Sequence, residues 1–299
     1  DKNKLALSAF LEEERKLTLL KTPEGEIKKI LKERLINHFK ASGFNQCENQ
    51  KLNLLKDTKM DVKIKGDATP KRTMKPIPCP WNLREKARSD LAAGVKLGII
   101  EKVSQNGQQP LWISPAIFVE KSDGGCRRVV NYKALNKQCS REPNHTPDVL
   151  KLASQIPSVK DSPSKKLLFS VLDAWNGYHS IGLTEEAEKY FGFSTEWGTY
   201  TYKVAPQGYL GSGDYYTKKM DEVMEKMRIT YPKVFSNPCD PKNEQSKSWV
   251  RCIDDTVLWS DSLTSCLMQT FYFIQECAAE GVVFNEKKFQ FGCEEVEAL

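Results

Sequence analysis

The sequence predicts an α+β fold whose C-terminal half is a split βαβ sheet with helices packed on one face. Between residues 167 and 291 the hydrophobic pattern runs strand, helix, strand pair, helix, strand. Two hairpins are legible, one turning at Ser122-Asp123-Gly124-Gly125 and one at Asp254-Asp255. In that topology the C-terminal end of the 167–173 strand and the 254–255 turn can lie side by side.

The elements follow in order. A charged, helix-prone stretch runs through Phe10 to Leu17. A second helix is expected from Thr22 as N-cap, with Pro23 in its first position and Glu24 and Glu26 at the positive end of the dipole. Ile27, Ile30, Leu31, Leu35 and Phe39 recur at helical spacing, and Gly43 is its stop. Residues 45–80 are lysine-rich and then proline-rich, a linker or extended arm that ends at a boundary. The expected division is therefore 1–79, a helical and linker region of unknown role, and 80–299, the chemical domain. A helix over 82–97 with Asn82 as cap opens the latter, and strands are expected at 116–119 and 128–132. Lys121, Arg127 and Arg128 place basic charge near the tip of that hairpin. Leu167 to Asp173 reads as a buried strand with an acid at its end. Then come a strand at 200–204, a helix over 212–228 and a polar loop at 231–248. Two short strands flank Asp254-Asp255, a helix covers 262–280, and 282–291 reads as strand, turn and strand.

Composition narrows the field. The 45 basic and 39 acidic residues leave a net charge of +6, which permits nucleic-acid binding without arguing for it. No apolar run is long enough to span a bilayer, and the N-terminus has no apolar signal core. An intracellular and membrane-free setting is expected, and the absence of an initiator Met suggests a fragment. The nine cysteines include no C-x-x-C pair, so free thiols in a reducing compartment are expected. Three scattered histidines, His38, His145 and His179, do not make a zinc site.

The chemistry gathers on aspartates. Joining a 3′-hydroxyl to an α-phosphate requires neutralising charge on the attacking and the leaving oxygen, which two Mg²⁺ ions held by carboxylates accomplish. Asp173, Asp254 and Asp255 suit that work. An Asp-Asp pair arises by chance about once in a chain of this size, but between two apolar strands it puts like charges where only a cation explains them. Tyr178 could stack on a nucleotide sugar or pack in the core, and His179 reads as a structural hydrogen bonder. Gln207 and Gly208 form an ordinary turn or line a nucleotide pocket. Lys121, Arg127 and the Lys287-Lys288 pair could face a triphosphate or simply be solvated.

Six blocks in order bring a family into view: Trp112 to Lys121, Arg127 to Asn136, Val171 to His179, Ala205 to Tyr209, Cys252 to Asp255, and Phe284 to Phe291. Residues 80–299 resemble the reverse transcriptase of gypsy-type LTR retrotransposons, a part of the Pol polyprotein. The resemblance implies right-hand polymerase fingers (80–165 and part of 185–205) and palm, with a ferredoxin-like palm sheet. It implies an RNA-directed DNA polymerase that takes an RNA or DNA template with its primer and deoxynucleoside triphosphates. Two Mg²⁺ ions, with Mn²⁺ as a substitute, would sit on Asp173, Asp254 and Asp255. Tyr178 would act as a steric gate against ribonucleotides, an argument against an RNA-making polymerase. Lys121, Arg127, Gln207 and Gly208 would bind the nucleotide, Cys252 and Ile253 would touch the primer, and Lys288 would protonate pyrophosphate. RNase H, integrase and protease domains would be further partners, and a virus-like particle in the cytoplasm, with access to the nucleus, the setting.

Cys252-Ile253 stands where relatives have Tyr or Phe first, Asn131 replaces a common Asp, and Ser122 a common Lys. The 231–248 loop is longer than usual. The sequence to Glu297-Ala298-Leu299 leaves no room for a thumb, so the thumb is expected to be absent. These departures keep an alternative open: a catalytically decayed retroelement remnant that only binds nucleic acid or acts as a scaffold.

Overall fold

The computed structural model describes residues 2–47, 50–104, 107–121, 124–140, 148–243 and 246–296. Ser122 and Asp123 of the expected turn, His145 and the last three residues lie outside the described residues. Two helices open the chain, α1 (Lys2–Leu19) and α2 (Glu24–Phe39). Then come β1 (Lys59–Met60), α3 (Arg84–Lys96), β2 (Ile100–Lys102), β3 (Ile113–Glu120) and β4 (Cys126–Val130). Two short helices follow, α4 (Lys133–Gln138) and α5 (Val149–Ala153), then β5 (Leu168–Asp173), β6 (Gly182–Leu183) and α6 (Glu185–Glu188). After β7 (Gly192–Thr195) and β8 (Gly198–Tyr202) come α7 (Leu210–Thr230), β9 (Trp249–Cys252), β10 (Asp255–Ser260), α8 (Leu263–Ala279) and β11 (Gln290–Cys293).

The chain folds into two compact units, one of residues 1–46, 146–175 and 220–299, the other of 47–145 and 176–219. The first unit holds a four-stranded sheet in the order β11-β5-β10-β9, every neighbouring pair antiparallel. With α7 and α8 as the connections this is the expected split βαβ arrangement. Alternation along the strands divides the sheet into two faces. Ser170 of β5 accepts a hydrogen bond from Thr270 of α8 at 2.9 Å, so Leu168, Ser170 and Leu172 face the helix. On the opposite face Phe169, Val171, Val250, Val257 and Trp259 form a buried cluster with Leu152 and Leu167. The N-terminal helices belong to this unit, because Phe10 and Phe39 pack edge-on against Phe271 of α8 with ring centroids 5.6 and 5.1 Å apart.

The second unit holds a five-stranded sheet in the order β2-β8-β7-β3-β4 and a two-stranded one, β1 with β6. Arg128, expected near a solvated tip, is instead buried: its guanidinium donates to Tyr202 Oη at 3.0 Å and to Asp90 Oδ2 at 2.7 Å. Register explains this, since Arg128 faces Phe118 on the inner side of the hairpin.

Other local expectations shift by a residue or two. Pro23, not Thr22, occupies the N-cap of α2, and no side chain caps it. A 3-10 turn at Trp81–Leu83 displaces Asn82 from the cap of α3. In the 282–291 segment only Phe284 makes isolated bridges, followed by a 3-10 turn at Glu286–Lys288 and then β11. The strand β7 is invisible in the sequence because it opens on Gly192, where a Cβ would lie 2.6 Å from Pro110 and from the Trp112 carbonyl.

Candidate active site

In the first unit β5 and β10 run antiparallel with Asp173 directly opposite Asp255. The pairing continues into the turn, where Ala174 N–H donates to the Asp254 carbonyl at 2.9 Å. Asp173 and the Asp254-Asp255 pair, distant in sequence, thus meet at one end of the sheet. Cys252 lies opposite Asp255 on the other side. Ile253, between them, has φ +52, a left-handed conformation that a β-branched residue rarely adopts. The Ile253 carbonyl accepts from Arg251 Nη1 at 3.0 Å. Asn285 N–H donates to the Asp173 carbonyl at 2.8 Å, tying in the segment that carries Lys288. Lys288 Nζ donates to Asp173 Oδ2 at 2.9 Å.

Electrostatics mark this end of the sheet. Burial first, then the charges of Asp173 and Asp255, push the Asp254 carboxyl up to about 6. Asp255 is raised by burial, by the Asp173 charge and by a hydrogen bond with Asp173. Lys288 is raised in turn, chiefly by its hydrogen bond to Asp173. Asp254 Oδ1 is buried with no hydrogen-bond partner. Among the described residues no group of three or more His, Cys, Asp or Glu side chains is arranged as a metal cluster. Lys288 Nζ pairs with Asp173 Oδ2 at 2.9 Å, so a cationic side chain stands at one oxygen of the three carboxylates. The donor set nonetheless fits a hard divalent cation, because three carboxylates repel one another and one buried oxygen is orphaned.

The other expected site residues lie in the second unit. Lys121 and Arg127 are both exposed on the β3–β4 hairpin. Arg127 pairs across from Val119 and shares its outer face with Ile117 and Val129, each more than a third exposed. Tyr178 sits on a 3-10 turn, its ring 6.0 Å from that of Tyr216 and nearly perpendicular to it. His179 hydrogen-bonds the Ala205 carbonyl through Nδ1 at 3.1 Å, a structural role as expected. Gln207 is exposed, and Gly208 has φ +90. That loop is held by a residue to which sequence reasoning attached no role. Asn136 Nδ2 donates to the Gly208 carbonyl at 3.0 Å, and its Oδ1 accepts from Leu210 N–H at 3.2 Å. The only signal was its place at the end of a motif block. A cleft of about 440 Å³ in the same unit is lined by Lys71, Lys133 and Lys137, with Thr73, Ser114 and Asn131 among its polar groups.

Comparison with known proteins bears on the family and the fold. The profile described as "Reverse transcriptase (RNA-dependent DNA polymerase)" matches residues 119–299. The enzymatic polyprotein of Cauliflower mosaic virus (strain NY8153) is 26% identical over 184 residues, 60% of this chain and 23% of that protein. The chain thus spans about a quarter of the length of that relative. A crystal structure of the prototype foamy virus protease-reverse transcriptase superposes with a TM-score of 0.71 at 20% identity, covering 94% of this chain and 33% of the other. The foamy viral protease-reverse transcriptase in complex with an RNA/DNA hybrid gives a TM-score of 0.70 at 16% identity, covering 90% and 33%.

Proposed function

Because the chain belongs to the reverse transcriptase (RNA-dependent DNA polymerase) family, we propose that it copies an RNA or DNA template into DNA as part of a Pol polyprotein. The observation that carries this is the meeting of Asp173, Asp254 and Asp255 around an orphaned buried oxygen. Those three side chains would hold two Mg²⁺ ions, or Mn²⁺, which supply charge neutralisation at the attacking and leaving oxygens. Lys288 Nζ carries a proton beside Asp173 and is mostly exposed, so it is placed to give that proton to departing pyrophosphate. Lys121 and Arg127 bind the triphosphate, and the Gln207-Gly208 loop bears on the nucleotide and template. Tyr178 excludes ribonucleotides by its bulk, and Cys252 and Ile253 meet the primer end.

The basic cleft lined by Lys71, Lys133 and Lys137 supports a nucleic-acid partner. The foamy viral enzyme was solved with an RNA/DNA hybrid, which supports the same class of partner here. The order of the six sequence blocks supports a finer reading. The parent protein is the Pol polyprotein of a gypsy-type LTR retrotransposon, with protease, RNase H and integrase domains and an intracellular, particle-borne setting. Primer extension on an RNA template by the polyprotein that carries this chain tests the activity. Asp254→Asn is expected to lower incorporation by about a thousandfold, since several kcal/mol of transition-state charge stabilisation go with the metal. An unchanged rate would remove the metal role.

A further inference from the structure

Arg251 is out of place for its register. On β9 it pairs with Thr256 of β10, which pairs with Leu172 of β5, so all three lie on the helix-covered face of the sheet. Its side chain is only 7% exposed. A guanidinium buried there loses its hydration, so it persists only where fixed partners replace the water. Two of its partners bear on the turn. Nη2 meets Asp221 Oδ1 of α7 at 2.6 Å, and Nη1 donates to the Ile253 carbonyl at 3.0 Å. The second bond reaches the most constrained peptide of the catalytic turn, the carbonyl of a β-branched residue at φ +52. That carbonyl leads directly into Asp254, whose Oδ1 has no partner. One rigid fork therefore joins a helix to the turn that aims a candidate metal ligand.

We propose that Arg251, braced by Asp221, is a positioning residue that holds the 252–255 turn in its left-handed form and so sets the affinity of the aspartate site for divalent cations. The inference rests on the metal reading given above. Arg251 donates to the Ile253 carbonyl, so it acts through the turn that leads into Asp254. Supporting residues behind metal ligands typically contribute about 10–100-fold to metal affinity. Lys cannot replace the guanidinium, because a single ammonium does not span both partners in the same plane.

The test titrates Mn²⁺ into the full chain by electron paramagnetic resonance, with thermal melting of each protein in chelator alongside. Arg251→Lys and Asp221→Asn are each expected to bind Mn²⁺ roughly tenfold more weakly than wild type. Asp221 is 60% exposed at its side chain, so Asp221→Asn keeps the fold if Arg251→Lys does not. A lowered melting temperature with unchanged Mn²⁺ affinity would make Arg251 merely structural and overturn the proposal. Failure of the wild-type chain to bind Mn²⁺ would overturn the metal reading itself, a separate outcome.

Discussion

Asp254 is held in the folded chain with its carboxyl near 6, above the ordinary value of 3.8. A carboxyl raised in this way favours the protonated form, so its contribution to stability is complete below about 3.8 and lost as pH rises through about 6. Asp254→Asn removes that loss. In chelator the variant should be more stable than wild type at pH 7, by on the order of 2 kcal/mol, and equal to it near pH 4. Thermal melts at the two pH values check this, and a gap that does not close at pH 4 would point away from charge. Divalent cations should raise the wild-type melting temperature more at pH 7 than at pH 5, since they bind the ionised form. In the second unit Gly208 adopts φ +90, where a Cβ is strained. Gly208→Ala should cost about 1–3 kcal/mol by urea denaturation. The Asn136 clasp cannot offset this, because it fixes the same backbone that the Cβ would push aside.

At the scale of elements, the β9–β10 turn stores strain at Ile253. Left-handed backbone costs an L-residue roughly 1–2 kcal/mol, and Asn tolerates it better. Ile253→Asn should therefore stabilise the chain by about 1 kcal/mol in urea, while altering contact with a primer end. A loss of stability would mean that the Ile253 side chain contributes packing that outweighs the strain. The long 231–248 loop has an element-level part too. Asn237 Oδ1 accepts from Trp259 Nε1 at 3.2 Å and Ser236 bridges Lys247, so residues 236–237 are tied to β10 and to the approach to β9.

For the molecule as a whole, the N-terminal helices matter more than their lack of motifs suggests. Leu7, Phe10, Ile27, Leu31, Leu35 and Phe39 are buried, and Phe44 packs on Phe289 at 5.2 Å between ring centroids. Asn45 Oδ1 accepts from Glu286 N–H at 3.0 Å, one residue from Asn285, which holds the Asp173 carbonyl. At about 1.5–3 kcal/mol for each large apolar side chain, exposing these and the surface beneath them approaches the whole stability of a domain. A chain beginning at residue 80 keeps all six motif blocks, yet it should be insoluble or molten. Near-ultraviolet circular dichroism of chains starting at residues 1 and 80 decides it, and a native-like spectrum from the shorter one would show the first unit stands without its helices.

The sequence by itself determined the principal elements of the first unit and nominated the aspartates of the candidate site. Apolar runs marked β5, β9 and β10, helical spacing marked α2, an amphipathic pattern marked α8, and acids at strand ends marked Asp173 and Asp254-Asp255. Such patterns work because local periodicity reports which face of an element is buried. Periodicity does not report what lies against that face. Only the tertiary structure decided that Asp173 pairs with Asp255, that Lys288 reaches Asp173, that Arg251 is held from beneath by Asp221 and that Arg128 turns inward to Asp90. Each of these depends on register between segments far apart in the chain, where shifting one residue would send every side chain to the opposite face.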